Sequence, residues 1–213
     1  MFPKPKAALT PNTYEYESSP LVKPTGFREY DARWLLEKEI NLMGIQALGM
    51  GLGTLIKEMG VKQEIVTGHD FRSYSASVKM ALISGLLASG CKVHDIGLCI
   101  TPMAYFAQFD LDVPCVAMVT ASHNDNGWTG VKMGANRPLT FGPVEMGRLK
   151  QIVLGAKFNL KGGGSYVFVE NFPARYIADV TKRPKIKRKL KVVAACGTSR
   201  AWPSAISPMS PRG

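Results

Sequence analysis

A chain of 213 residues, 46% of them apolar and with a mean hydropathy of −0.01, carries enough apolar material for a folded core and is too rich in it for a disordered protein. No stretch reaches the ~20 uninterrupted apolar residues of a membrane helix, and the opening MFPKPKAALTPNTYEYESS lacks the apolar run of a signal peptide, so no membrane partner and a cytoplasmic address are expected. The net charge of +11 raises nucleic acid as a partner, but much of the excess sits in one run, Lys182 to Lys191, without aromatic interleaving, and it reads as a solvated linker between domains.

Residues 1–25 are rich in Pro, Thr, Ser and Glu without apolar periodicity and read as a flexible leader. Leu42, Ile45, Leu48, Leu52, Leu55 and Ile56 recur at helical spacing and stop before Gly60. Glu64–Thr67 reads as a strand, Val78–Ala88 as a helix closed by Gly90, Lys92–Gly97 as a strand, Pro102–Phe109 as a helix and Val113–Thr120 as a buried strand. Asp125-Asn-Gly127 is a turn signal, Val131–Met133 a short return strand and Gly142–Val153 a further helix. Strands alternating with helices of ten or so residues argue for an α/β fold whose functional loops follow the carboxyl ends of strands, and Ser122 lies just past such an end.

Residues 26–160 thus read as one α/β domain, and 161–189 as a linker and helix, with a loop at Lys161–Ser165 and a helix over Asn171–Val180. Leu190–Ala195 has the apolar density of a strand opening a second domain, and 190–213 read as an incomplete start of that domain. The Pro- and Ser-rich continuation after Gly197 gives such a strand no cover, and a shifted reading frame is expected there.

Four cysteines, Cys91, Cys99, Cys115 and Cys196, sit at wide spacings without C-x-x-C pairs and read as buried free thiols; the three histidines lack the spacing of a transition-metal site. Gly49-Met-Gly-Leu-Gly53 falls inside a helical pattern instead of after a strand, so close helix packing fits it better than a dinucleotide site. A serine at a strand tip with His123 and Lys132 nearby is a place to hold a phosphoryl group, whose charge needs cations and backbone donors to offset it.

The string Thr120-Ala-Ser-His-Asn-Asp-Asn-Gly-Trp-Thr-Gly-Val-Lys-Met133 closely resembles the active-site loop T-A-S-H-N-P-x-x-x-N-G-x-K of the α-D-phosphohexomutases, with phosphomannomutase/phosphoglucomutase the nearest subgroup. Gly26-Phe-Arg-Glu-Tyr-Asp-Ala-Arg33 is similar to that family's F-R-x-Y-D-I-R-G, Gly68-His-Asp-Phe-Arg72 to its G-R-D-T-R, and Cys99-Ile-Thr-Pro102 to its P-T-P. The resemblance implies a mixed-sheet first domain with helices on both faces, and a phosphate carried by Ser122 between C1 and C6 of a hexose through a bisphosphate. It implies Lys132 and His123 beside the transferring group, and Tyr30 and Arg33 at the cleft, where the planar fork of Arg33 suits phosphate. It also implies magnesium held by the phosphate of Ser122, glucose or mannose 1,6-bisphosphate as activator, a hexose phosphate substrate and a monomer.

The family's aspartate metal loop D-G-D-x-D-R, its sugar-reading G-E-x-S-G loop and its last domain have no counterpart in the sequence, so the isolated chain is expected to turn over poorly. Trp34 stands where the family has glycine, Asp125 where it has proline and Thr129 where it has asparagine, while His69 and Phe71 depart from G-R-D-T-R.

Overall fold

The computed structural model describes residues 2–137, 140–182, 188–191 and 193. Six strands form one mixed sheet in the order β1-β5-β4-β2-β3-β6: β1 (Ala32–Leu35), β2 (Glu64–His69), β3 (Lys92–Leu98), β4 (Cys115–Val119), β5 (Trp128–Gly134) and β6 (Ser165–Phe168). β5 runs antiparallel to both β1 and β4, and the pairs from β4 through β2 and β3 to β6 are parallel. The parallel pairs are bridged by helices because a parallel return needs a crossover.

Side chains alternate between two cores, as a two-fold strand period requires. Ile65, Val93, Cys115, Ala117 and Val119 pack beneath α2 (Leu42–Glu58), α3 (Ser75–Ala88) and α5 (Pro143–Leu154). Val66, Ile96, Val116 and Met118 face α4 (Thr101–Asp110) and Phe172 of α6 (Phe172–Lys182). The fold is therefore α/β with helices on both faces, as the sequence implies.

α2 is buried along nearly its whole middle, which its glycines permit. A Cβ at Gly49 would stand 2.2 Å from the carbonyl oxygen of Leu82, and one at Gly85 would stand 2.1 Å from that of Gln46. Backbone thus meets backbone where α2 crosses α3, the packing use expected for the glycines of residues 49–53.

Two expectations change. Residues 1–25 read as a flexible leader, but the described part of them, 2–25, is tied into the fold. Among them α1 (Tyr14–Ser18) is capped by Thr13, Lys6 bridges to Leu21, and Leu21 and Val22 are fully buried. The cause is Asn41, the N-cap of α2. Its side-chain oxygen accepts from Gly44 N at 2.8 Å and from Leu21 N at 2.9 Å, and its amide donates to Ser19 O at 2.9 Å. Residues 165–182, placed in a linker and helix by the sequence, extend the same domain: β6 joins the sheet beside β3, and Phe172 and Tyr176 of α6 pack against Phe106. Gly164 allows this, since a Cβ there would stand 2.4 Å from Leu87 O.

The strand expected over Leu190–Ala195 and the tail after it lie outside the described residues except for Leu190, Lys191 and Val193, as do Cys196 and residues 183–187 of the basic run. No helix among the described residues is long and apolar enough to cross a membrane.

Candidate active site

β4 is buried along its whole length and ends in a polar loop, 120–127, that turns the chain back into β5. At the loop's apex Ser122 has φ 56° and is exposed, as is His123. A left-handed conformation costs a residue with a Cβ roughly 1–2 kcal/mol, so surrounding contacts must impose it. Within the loop, Ser122 N donates to Thr120 Oγ1 at 3.1 Å and Asn124 N to Ala121 O at 3.1 Å. At its base Thr120 N donates to Gly130 O at 2.9 Å.

Two neighbouring segments grip the loop from outside. From β1, Arg33 donates through Nη1 to Asn124 Oδ1 at 2.7 Å, and through Nε and Nη2 to Asp31 Oδ2 at 2.9 and 2.7 Å. Lys132 of β5 lies 3.5 Å from the same carboxylate oxygen. Register explains the convergence: Arg33 stands opposite Gly130, so Arg33 and Lys132 share a face of the sheet. Gly130 leaves the room. A Cβ there would stand 2.3 Å from Ala32 O, 3.0 Å from Arg33 Cγ and 3.0 Å from Thr120 O.

The second grip comes from the β2–α3 turn. Arg72 donates through Nη2 to the backbone oxygens of Ser122 at 3.2 Å and Asn124 at 2.7 Å, and is ion-paired with Asp70. The phenol of Tyr74 donates to Trp128 O at 2.8 Å and accepts from Gly127 N at 2.8 Å.

The structure thus ties Arg33 to Asn124 of the serine loop, sets Lys132 beside Asp31, the carboxylate that Arg33 also holds, and leaves Ser122 and His123 exposed. Tyr30 is 58% exposed, and no hydrogen bond joins it to the loop among the described residues. Sequence reasoning does not single out Asp31, Asp70, Arg72 or Tyr74 as site residues. Asp31 and the Asp70–Arg72 segment lie in matched strings, but Tyr74 has no sequence signal, because its partners are backbone atoms. The ion pairs around the loop join three cations, Arg33, Arg72 and Lys132, to two carboxylates, Asp31 and Asp70, and the loop itself carries a third, exposed carboxylate, Asp125.

The residues present do not form a magnesium cage. Among the described residues no group of three or more His, Cys, Asp or Glu is placed to hold a metal ion, and Asp31 and Asp70 beside the loop are already ion-paired with Arg or Lys. A hard cation needs several oxygens that are free to face it.

Residues 24–160 match the family model described as phosphoglucomutase/phosphomannomutase, alpha/beta/alpha domain I. A phosphomannomutase from Escherichia coli is 40% identical over 109 residues, which is 51% of this chain and 23% of the relative. A phosphomannomutase/phosphoglucomutase from Pseudomonas syringae pv. tomato is 29% identical over 183 residues, 86% of this chain and 38% of the relative. A crystal structure of a phosphoglucomutase/phosphomannomutase family protein from Burkholderia thailandensis superposes with a TM-score of 0.72 at 26% identity, covering 79% of this chain and 38% of that one. The chain spans about a third of the length of the curated relatives it matches. With the fold, the serine loop and the family model in agreement over residues 24–160, the chain belongs to the phosphoglucomutase/phosphomannomutase family and carries its first α/β/α domain.

Proposed function

We propose that Ser122 is the phosphate carrier of a phosphohexomutase, in which a phosphoryl group moves between C1 and C6 of a hexose monophosphate. The observation that carries this reading is the exposed, left-handed Ser122 at the end of β4, in a loop that the guanidinium groups of Arg33 and Arg72 hold by hydrogen bonds. A phosphoserine brings about −1.5 to −2 charges, and cations held in place beforehand can offset them without rearranging during transfer.

In the forward half-reaction a sugar hydroxyl attacks the phosphorus of phosphorylated Ser122. The new P–O bond forms to the sugar while the P–Oγ bond breaks, and the hydroxyl proton ends on the serine oxygen. The return half-reaction reverses these changes at the other phosphate of the bisphosphate, so the two halves balance. Lys132 stabilises the equatorial oxygens in transit, and exposed His123 positions the group or relays the proton. Arg33 and Tyr30 contact the phosphate of the substrate. Glucose or mannose 1,6-bisphosphate is the reagent that first charges Ser122. Magnesium would supply charge neutralisation at the phosphoserine, although no set of carboxylates free to hold it is present among the described residues. Turnover by this chain alone is accordingly slow.

Incubating the purified chain with glucose 1,6-bisphosphate and magnesium, then measuring intact mass and locating the phosphate, tests the assignment. One added phosphate on Ser122, absent from Ser122→Ala, is expected. Phosphate on another residue, or none after prolonged incubation, overturns it.

A further inference from the structure

We infer that the β2–α3 turn, through Arg72 and Tyr74, is a clamp that sets the orientation of Ser122, with Arg72 as a positioning residue. The inference rests on the reading of Ser122 as the phosphate carrier, but its geometry is independent of that reading.

The turn holds the serine loop at four backbone atoms. Arg72 Nη2 reaches Ser122 O and Asn124 O, on both sides of His123, and Tyr74 Oη reaches Gly127 N and Trp128 O, where the loop enters β5. A donor on the carbonyl of Ser122 fixes the peptide plane that follows the serine. With Ser122 N held by Thr120 Oγ1 on the other side, the backbone of the serine is fixed at both ends, and with it the direction of the Cβ that carries Oγ. The clamp acts on the reacting oxygen without touching it.

The clamp is itself held rigid. Asp70 pairs with Arg72, and its Oδ1 accepts from Arg72 N at 3.2 Å and from Ser75 Oγ at 2.6 Å. Asp70 N donates to Val119 O at 3.0 Å, which anchors the turn to the strand that carries the loop. The Arg72 and Asp70 side chains are only 10% and 12% exposed, so the pair is shielded from water and Arg72 is not a loose surface cation. A planar guanidinium can bond a carboxylate on one edge and two carbonyls on another. An ammonium cannot reproduce that fork, so Arg72→Lys should restore function only in part.

The experiment uses the full chain as wild type, Arg72→Ala, Arg72→Lys and Tyr74→Phe. One arm follows the rate of Ser122 phosphorylation against glucose 1,6-bisphosphate concentration. The other follows amide hydrogen exchange of the peptide spanning 120–129, alongside thermal melting. In Arg72→Ala the maximal phosphorylation rate is expected to fall by roughly tenfold or more, the loss of a charge-assisted hydrogen bond, with the half-saturating bisphosphate concentration unchanged. Exchange in the loop should quicken while the rest of the domain keeps its protection. Arg72→Lys should fall between the two, free guanidinium should partly rescue Arg72→Ala, and Tyr74→Phe should expose the Gly127 amide.

A loop that exchanges at the wild-type rate in both Arg72→Ala and Tyr74→Phe overturns the clamp, as does a phosphorylation loss that merely follows the melting temperature. If Arg72→Ala does not fold, Arg72→Lys and Tyr74→Phe decide by the same readouts. If the wild-type chain takes up no phosphate, the carrier reading fails, and the exchange arm alone decides for or against the clamp.

Discussion

Adding one methyl group at Gly130 and the same group at Gly147 should have opposite effects. In Gly130→Ala the new Cβ meets the carbonyl oxygens of Ala32 and Thr120 at 2.3 and 3.0 Å, and both are backbone atoms in hydrogen-bonded segments. Neither can swing aside, so β1 must move away from β5. Overpacking of this kind costs typically 1–3 kcal/mol, and clashes with backbone on two sides place the substitution near the upper end, at about 2–3 kcal/mol. For a chain of this size that is a fall of roughly 4–12 °C in melting temperature. The shift also carries Arg33 away from Asn124, its 2.7 Å partner, so Ser122 phosphorylation should slow by more than the stability loss explains. Gly147 lies exposed within α5, and a Cβ added there would meet no heavy atom within 4 Å, so Gly147→Ala should stabilise by about 0.5–1 kcal/mol through helix propensity alone. Calorimetry of both variants, with phosphorylation rates at saturating bisphosphate, checks the pair. A Gly130→Ala protein that melts within a degree or so of wild type and phosphorylates normally would refute the reasoning about β1 and Arg33.

Lys79 and Asp95 form a buried ion pair at 2.7 and 2.6 Å, with further hydrogen bonds to Asp95 from Gly97 N and the Tyr166 phenol; Lys79→Met should cost about 3–5 kcal/mol in urea unfolding, and adding Asp95→Asn should recover most of it. Burial holds the His69 imidazole below its ordinary value of 6.5, with the Lys79 charge acting in the same direction. The neutral ring therefore contributes stability that is present above that value and lost as pH falls through the folded one, so the urea midpoint should drop on acidification less steeply in His69→Gln than in wild type. Burial pushes the thiol of Cys91 up to about 11 and those of Cys99 and Cys115 up to about 12. Peptide mapping after treatment with iodoacetamide at neutral pH should find these three unmodified in the native chain and alkylated after denaturation.

The elements legible in the sequence are those whose burial imposes a period. α2, α3 and α5 each bury a recurring apolar set, β4 is apolar throughout, and their expected limits fall within a few residues of the observed ones. β1 and β6 have no such signature. β1 is four residues long and alternates buried with half-buried positions in Ala-Arg-Trp-Leu, while β6 is a four-residue edge strand exposed along its length. The ordered leader is illegible because Leu21 and Val22 are isolated apolar residues whose burial depends on Asn41, twenty residues further on. At the candidate site, the contact of Arg33 with Asn124 joins two residues of the matched strings, because side-chain identity is what a motif records. The grip of Tyr74 on backbone atoms leaves no such record.

The departures from the family pattern acquire a meaning once the strands are paired. Trp34 and Thr129, which stand where the family has glycine and asparagine, are directly opposite each other in the β1–β5 register. Both are buried, and the Thr129 hydroxyl has no hydrogen-bond partner. The indole is fully engaged: Nε1 donates to Lys23 O at 2.8 Å, the ring meets Phe27 edge-on at 5.2 Å, and Gly26 is bare because a Cβ there would lie 1.9 Å from Nε1. Trp34 points to the face opposite Arg33, since successive strand residues alternate. β1 is an edge strand of the sheet, held besides its ladder to β5 by a bridge from Ala32 to Phe27 and by bonds between Leu35 and Glu39. A large anchored side chain immediately after Arg33 supplies what a glycine could not, holding the strand so that the guanidinium stays aimed at Asn124 and the serine loop. The departure at Trp34 therefore changes how β1 is secured while leaving the placement of Arg33 over Gly130 intact.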